Sequence, residues 1–348
     1  MNVKNIIYIT FNPLHEGKCG GSVNDNKVYK TLQDINRKTI AIYPPNKGLV
    51  ENLKIQLKIF KKIISGNTIF IIRGALMGLL VSVLKPLFNN NLFFYTGCSS
   101  IGFLENMIWS ENIEYRAKTP LKMKLNNIFE RIFLLKLIFK QADVIFAENN
   151  KMKSILSYFR VDLKKIILLP YYVEAYFSDN YQKLNFNLKK DIFKIGYTGR
   201  FQEYDKLEVI FNALKELKED GYNITFTLAG DGPNRTIYED YVKTIGIDDI
   251  TYFLGLKKHK EVSLLIDDFH CLLLPMVEKL MPSTIPIKML EAVVKGKIII
   301  TNNTGNISSL FFGFDELIID ELNSLNIKKK LKNVIHNYDY YYEIFKNI

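Results

Sequence analysis

The sequence predicts an α/β protein made of two doubly wound units in tandem, and three observations carry the prediction. Short apolar, β-branched runs alternate with helix-length segments from residue 6 to residue 169. The same alternation starts again at residue 194 and continues to residue 301. The chain has 348 residues, more than one hydrophobic core usually serves. With 48% hydrophobic and 24% charged residues, 19 Gly and 10 Pro, the composition is that of a packed globular protein and excludes a disordered or fibrous chain.

Taken in order, the strands expected in the first unit are residues 6–10, 39–43, 69–72, 92–95, 144–147 and 166–169, with a first helix over 25–35. Those of the second are 194–198, 225–229, 251–254, 271–274 and 298–301, separated by helices over 207–219, 239–245, 260–267 and 288–295. The polar and aromatic stretch VEAYFSDNYQKLNFNLKKD, residues 173–191, lacks a period and reads as a linker. One domain is therefore expected over 1–175 and a second over 192–325, followed by a helical segment over 326–348 that packs back on the first.

The cysteines, Cys19, Cys98 and Cys271, are three in number and far apart, without CxxC or Cys/His spacing. Neither a disulfide framework nor a zinc site is expected, and a reduced cytoplasm fits. The apolar stretch at the N-terminus is too short for a signal peptide, and the apolar run lacking charge over residues 74–84 falls short of the roughly 20 needed to span a bilayer. Net charge is +11, but residues 1–180 carry 25 Lys/Arg against 13 Asp/Glu whereas residues 181–348 carry 22 against 23. The basic half points to an anionic partner. Within it, LKIQLKIFKKII (residues 53–64) carries Lys54, Lys58, Lys61 and Lys62 beside Leu53, Leu57, Phe60 and Ile64, and residues 118–140 repeat the mixture. Such helices suit an anionic membrane surface, or a domain helix with its lysines in water. The cations are spread over helices without a recognition module or RNP-like motif, so nucleic acid is not the expected partner.

Ligands of parallel sheets bind outside the carboxyl ends of strands, and the segments there carry the chemistry. GYTGR puts Arg200 just past the first strand of the second unit, and Lys206 opens the next helix. Two cations at one strand end can hold a diphosphate, or can be ordinary surface charges. In LAGDGP, Gly230 and Gly232 permit a tight turn and Pro233 fits a helix start. FLG ends at Gly255, and MPSTIPIKMLEAVVKGK places Lys288 and Glu291 on one helix.

In their order and approximate separations these motifs make residues 194–310 resemble the donor-binding domain of the retaining GT-B glycosyltransferases of family 4, the glycosyl transferases group 1. The resemblance implies a GT-B fold, two Rossmann-like domains facing across a cleft. It implies transfer of a sugar, with retention, from a nucleotide diphosphate sugar to a hydroxyl of a saccharide or lipid-linked saccharide in bacterial surface polysaccharide assembly. Arg200 and Lys206 would act on the donor diphosphate as the catalytic pair, with Lys288 as a third contact. Gly20, Gly21 and Gly255 would complete the donor site, and Glu291 would accept from the ribose hydroxyls. Neither metal nor cofactor is implied, and the enzyme would be cytoplasmic, peripheral on the inner membrane face.

Two positions depart from the family pattern. Ser283 stands where many members have a first glutamate, and LFFYTGCSSIGF lacks the histidine often found after a central strand, leaving Thr96, Gly97, Cys98 or Ser99 to supply contacts. Of the four histidines, His15 lies in the first loop, whereas His259, His270 and His336 fall in helix-start, pre-strand and C-terminal contexts. The pairs Asp248-Asp249 and Asp267-Asp268 read as surface and not as a metal-binding motif. A nucleotide-sugar 2-epimerase and a catalytically silent GT-B binding scaffold are the alternatives.

Overall fold

The structure of the protein is a computed structural model that describes residues 5–10, 20–43, 49–88, 91–96, 135–170, 172–178, 184–188, 190–201, 206–275, 285–302, 307 and 315–345. The chain divides after Pro170 into two compact units.

The first unit runs β1 (Asn5–Ile9), α1 (Gly20–Ile35), β2 (Ile40–Ile42), α2 (Leu49–Ser65), β3 (Thr68–Ile72), α3 (Ala75–Leu84), β4 (Leu92–Thr96), α4 (Leu135–Gln141), β5 (Val144–Ala147), α5 (Asn150–Tyr158) and β6 (Ile166–Leu168). Its sheet has the order β2-β1-β3-β4-β5-β6, every neighbour pair parallel. The strands are nearly continuous Ile, Phe and Tyr, as a parallel sheet covered on both faces requires, and Ile7, Tyr8, Ile9, Phe70 and Ile72 are fully buried. Asn149 caps α5, its Oδ1 accepting from the Met152 N–H at 2.9 Å. Helix α2 shows two apolar stripes. Ile55, Ile59 and Ile63 are buried, whereas Leu57, Phe60 and Ile64 are 60%, 39% and 51% exposed, alongside the exposed Lys54, Lys58 and Lys61. Among the described residues, no helix is long and apolar enough to cross a membrane.

The second unit runs β7 (Phe193–Thr198), α6 (Leu207–Glu219), β8 (Ile224–Ala229), α7 (Arg235–Thr244), β9 (Thr251–Gly255), α8 (His259–Asp267), β10 (Cys271–Leu273), α9 (Ile287–Val294), β11 (Ile298–Asn302), β12 (Ile318–Ile319), α10 (Ser324–His336) and α11 (Tyr338–Phe345). Its order, β12-β11-β10-β7-β8-β9, is the doubly wound 3-2-1-4-5-6 pattern with the reversal between β7 and β10. Leu207, Ile210, Phe211, Leu214 and Leu217 give α6 a buried stripe at helical spacing.

Three expectations are corrected. The first helix, expected from residue 25, begins at Gly20, so Gly20 and Gly21 are its first two residues. Residues 326–345 do not stand apart from the second unit: Ile327, Leu331, Val334, Ile335, Tyr338, Tyr341, Tyr342 and Phe345 are buried in its core, so this apolar face is satisfied there. The stretch read as linker is anchored to the same unit, through buried Phe177 and through Phe186, whose ring lies 5.0 Å from that of Phe193. Strand β12, two residues paired with Thr301 and Asn302, is too short for periodicity to announce.

Candidate functional site

In an open doubly wound sheet the crevice lies where the strand order reverses, outside the carboxyl ends of the strands. In the second unit that point is the end of β7, next to β10. Arg200 follows β7 directly and is exposed, and the Tyr197 hydroxyl donates to its carbonyl at 3.2 Å. Lys206, also exposed, occupies the position before α6 with φ 47° and ψ 43°. It is one of three non-glycine residues with positive φ among those described, and left-handed backbone costs such a residue about 1 kcal/mol. No carboxylate among the described residues pairs with either cation.

Helix α9 brings its residues to the same strand end. The Lys288 ammonium lies 4.7 Å from the centroid of the Tyr197 ring and 3.2 Å from where a Cβ on Gly199 would sit. Glu291, three residues on and so on the same helix face, is 4% exposed. Its Oε1 lies 2.5 Å from Nε2 of His259, the first residue of α8, and Nδ1 of that ring lies 2.5 Å from the Tyr176 hydroxyl. The Tyr176 hydroxyl is pushed up to about 12 by burial first, then by Glu174 and Glu291, so it stays a proton donor.

The glycines of the motifs are explained by close approach of three loops. A Cβ on Gly230 would fall 1.7 Å from the Gly199 carbonyl oxygen, and one on Gly232 would fall 2.2 Å from that of Phe201. The Gly199 N–H donates to Ala229, the Phe201 N–H to Asp231, and the Gly230 N–H to Gly255. Gly255, at φ 70°, thus ties the end of β9 to the Gly230 loop, and its missing side chain leaves room for the Arg235 guanidinium.

The structure therefore gathers Lys288 and Glu291 near the Arg200 turn, sets Lys206 at the head of the following helix, and joins Gly255 to that turn through Gly230. Gly20 and Gly21 belong to the first unit. His15, Gly97, Cys98, Ser99 and Ser283 lie outside the described residues, as does all of residues 101–134. The sequence reading missed the partnership of Tyr176, His259 and Glu291. Only a histidine opening the helix after FLG hinted at it, and nothing local links that residue to a glutamate 32 positions on. Among the described residues there is no group of three His, Cys, Asp or Glu side chains able to hold a metal ion.

In the first unit the corresponding reversal lies between β1 and β3. There Asp25 of α1, fully buried, accepts from the Tyr8 hydroxyl at 2.7 Å and from the Thr10 hydroxyl at 2.6 Å, and pairs with the Arg73 guanidinium.

Comparison with known proteins places these arrangements. No curated protein matches the chain in sequence. Among solved structures, sucrose-phosphate synthase from Thermosynechococcus elongatus is 15% identical, with 99% of this chain and 92% of that one covered at a TM-score of 0.69. HepE from Anabaena, in complex with UDP and glucose, is 13% identical over 98% of this chain and 92% of its own, at 0.68. WaaG, a glycosyltransferase involved in lipopolysaccharide biosynthesis, is 11% identical over 98% and 93%, at 0.69. At such identities the likeness establishes the fold, which is that of the GT-B glycosyltransferase structures. Within that fold the second half carries the sequence signal as well, since residues 179–347 match the family model of the glycosyl transferases group 1.

Proposed function

We propose that the protein is a retaining, metal-independent glycosyltransferase that moves a sugar from a nucleotide diphosphate donor to a hydroxyl of a saccharide or lipid-linked saccharide in surface polysaccharide assembly. One observation carries the reading: a buried carboxylate, Glu291, and a cation, Lys288, share a helix face at the strand end that also bears Arg200. A carboxylate suits a vicinal diol, and clustered cations suit a diphosphate.

In this reading Glu291 holds the ribose, and Arg200, Lys206 and Lys288 meet the diphosphate, taking up charge as the bond from the anomeric carbon to the phosphate oxygen breaks. The acceptor oxygen forms the new bond on the same face, and its proton passes to the departing phosphate. No side-chain base is then needed. The apolar stripe of Leu57, Phe60 and Ile64 beside Lys54, Lys58 and Lys61 supports an anionic membrane surface as the place of work, each cation near it contributing about 1 kcal/mol. Retention of the protein by anionic liposomes at low salt, and its release by salt, checks that part.

The test of the site is thermal stabilisation by UDP, GDP, ADP and dTDP, with Arg200→Ala and Glu291→Ala alongside. A ligand at 100 times its dissociation constant adds about 2.7 kcal/mol. One nucleoside diphosphate should stabilise the wild type and neither variant, and the matching sugar nucleotide should release it only when an acceptor is present. Conversion of the sugar without an acceptor would indicate an epimerase. Binding without any turnover would indicate a silent scaffold.

A further inference from the structure

The sequence reading gave His259 no role, yet its ring bridges a hydroxyl and the most buried carboxylate of the site. Glu291, as a carboxylate, only accepts, so the hydrogen of the 2.5 Å contact sits on Nε2 of His259. In the neutral ring Nδ1 must then accept, and the Tyr176 hydroxyl is its donor, also at 2.5 Å. The segment carrying Tyr176 is itself fixed against α8. The Tyr176 carbonyl accepts from the Ser263 hydroxyl of α8 at 2.9 Å, and the buried Phe177 ring lies 5.0 Å from that of His259. The imidazole is therefore clamped by packing and by a hydrogen bond on its far nitrogen, while its near nitrogen grips one oxygen of Glu291.

We infer that His259 is a positioning residue for nucleotide recognition, holding Oε1 of Glu291 so that the carboxylate faces the ribose hydroxyls in one fixed orientation. An unheld glutamate on an eight-residue helix would lose rotamer freedom only on binding, and the loss would weaken the contact. Fixing the acceptor through a second layer of hydrogen bonds removes that cost and sharpens discrimination for a ribose over a sugar lacking the hydroxyl. The inference rests on the reading of Glu291 as the ribose acceptor, and Tyr176 extends it to the segment that enters the second unit.

The experiment measures the affinity of the full chain for UDP, GDP or ADP, whichever binds the wild type, and for its 2′-deoxy counterpart. A hydrogen bond to a charged acceptor makes the wild type prefer the ribonucleotide by about tenfold or more. Glu291→Ala brings that ratio to about one. His259→Phe should do the same, and His259→Gln, whose amide nitrogen can stand in for Nε2, should restore most of the preference. A His259→Phe protein that keeps the wild-type ratio while Glu291→Ala loses it overturns the inference alone. A wild type that binds none of the three nucleotides, or a Glu291→Ala variant that keeps the ratio, overturns the reading of Glu291 and the inference with it. Should His259→Phe fail to fold, Tyr176→Phe decides. It removes one hydroxyl and keeps the ring, so the ratio should fall about threefold, and an unchanged ratio counts against the clamp.

Discussion

The two units reverse their strand order at equivalent places, but they treat charge there in opposite ways. At the β1/β3 point Asp25 is fully buried and engaged by Tyr8, Thr10 and Arg73. Its negative charge is neutralised from within, and burial together with Asp25 drives the Tyr8 hydroxyl far above its ordinary range. At the β7/β10 point Arg200 and Lys206 are exposed and no described carboxylate meets them, while Glu291 of α9 is held by a histidine. The first arrangement pairs its charge inside the fold, and the second leaves Arg200 and Lys206 exposed at the strand end. A site that binds an anion is recognised by what the fold declines to neutralise.

The comparison breaks most sharply at Asp25. Replacing it with Ala removes the carboxylate that the Arg73 guanidinium and the Tyr8 and Thr10 hydroxyls meet, and removal of one partner of a buried ion pair costs about 3–5 kcal/mol. Denaturant unfolding of Asp25→Ala should show an early transition from the first unit, with nucleoside diphosphate affinity of the second unit near the wild-type value. Equal losses in both would mean that the Asp25 cluster belongs to the binding machinery and is not a closed structural pair.

Within the second unit the same contrast separates the two ends of the sheet. His270 stands before β10, at the amino end, stacked on Phe193 at 4.9 Å with its Nδ1 accepting from the Lys194 N–H at 2.9 Å. Burial first, then the nearby charges of Lys297 and Lys194, hold its pKa down at about 4 against an ordinary 6.5. Its folded form is therefore neutral, and the unfolded chain takes up the extra proton. Stability from this group is whole above pH 6.5 and drains as pH falls towards 4, by at most about 3.4 kcal/mol at 1.36 kcal/mol per unit. Asp220 and Asp249, held low by lysine partners, lose their part only below that window. His270→Asn keeps an acceptor for Lys194 without a titrating ring, so its stability profile should be flatter between pH 6.5 and 4 than that of the wild type. An equal slope in both proteins would assign the loss elsewhere.

How much of this was legible in the sequence follows from which interactions are local. Strands β1 to β11 were readable because each is a short apolar or β-branched run, and α6 was placed to the residue because Leu207, Ile210, Phe211 and Leu214 recur at helical spacing. Arg200, Lys288 and Glu291 were readable as members of ordered motifs. The Asp25 cluster was not, since Arg73 lies 48 positions away from its partner and no local pattern marks a cation that a distant strand end will bury. The link from Tyr176 through His259 to Glu291 was hidden in the same way, spanning 83 and then 32 positions. The final helices were misassigned because amphipathic periodicity reports that a face must be covered and not by what.

Lys206 offers the finest test, because its backbone and its amine make opposite predictions. At φ 47° and ψ 43° it occupies a region that glycine enters freely and lysine does not. Lys206→Gly should therefore raise stability by about 0.5–1 kcal/mol, read as a higher melting temperature of the second unit. If the amine meets a donor phosphate, the same substitution should weaken nucleoside diphosphate binding by about tenfold, the worth of one charge-assisted hydrogen bond. Strain kept at a position where it lowers stability is explained when the side chain it carries is needed there. A variant that gains stability and keeps its affinity would leave the strained lysine without that reason and reduce the cationic cluster to Arg200 and Lys288. A variant that loses affinity with no gain in stability would show that the α6 turn imposes its conformation on any residue.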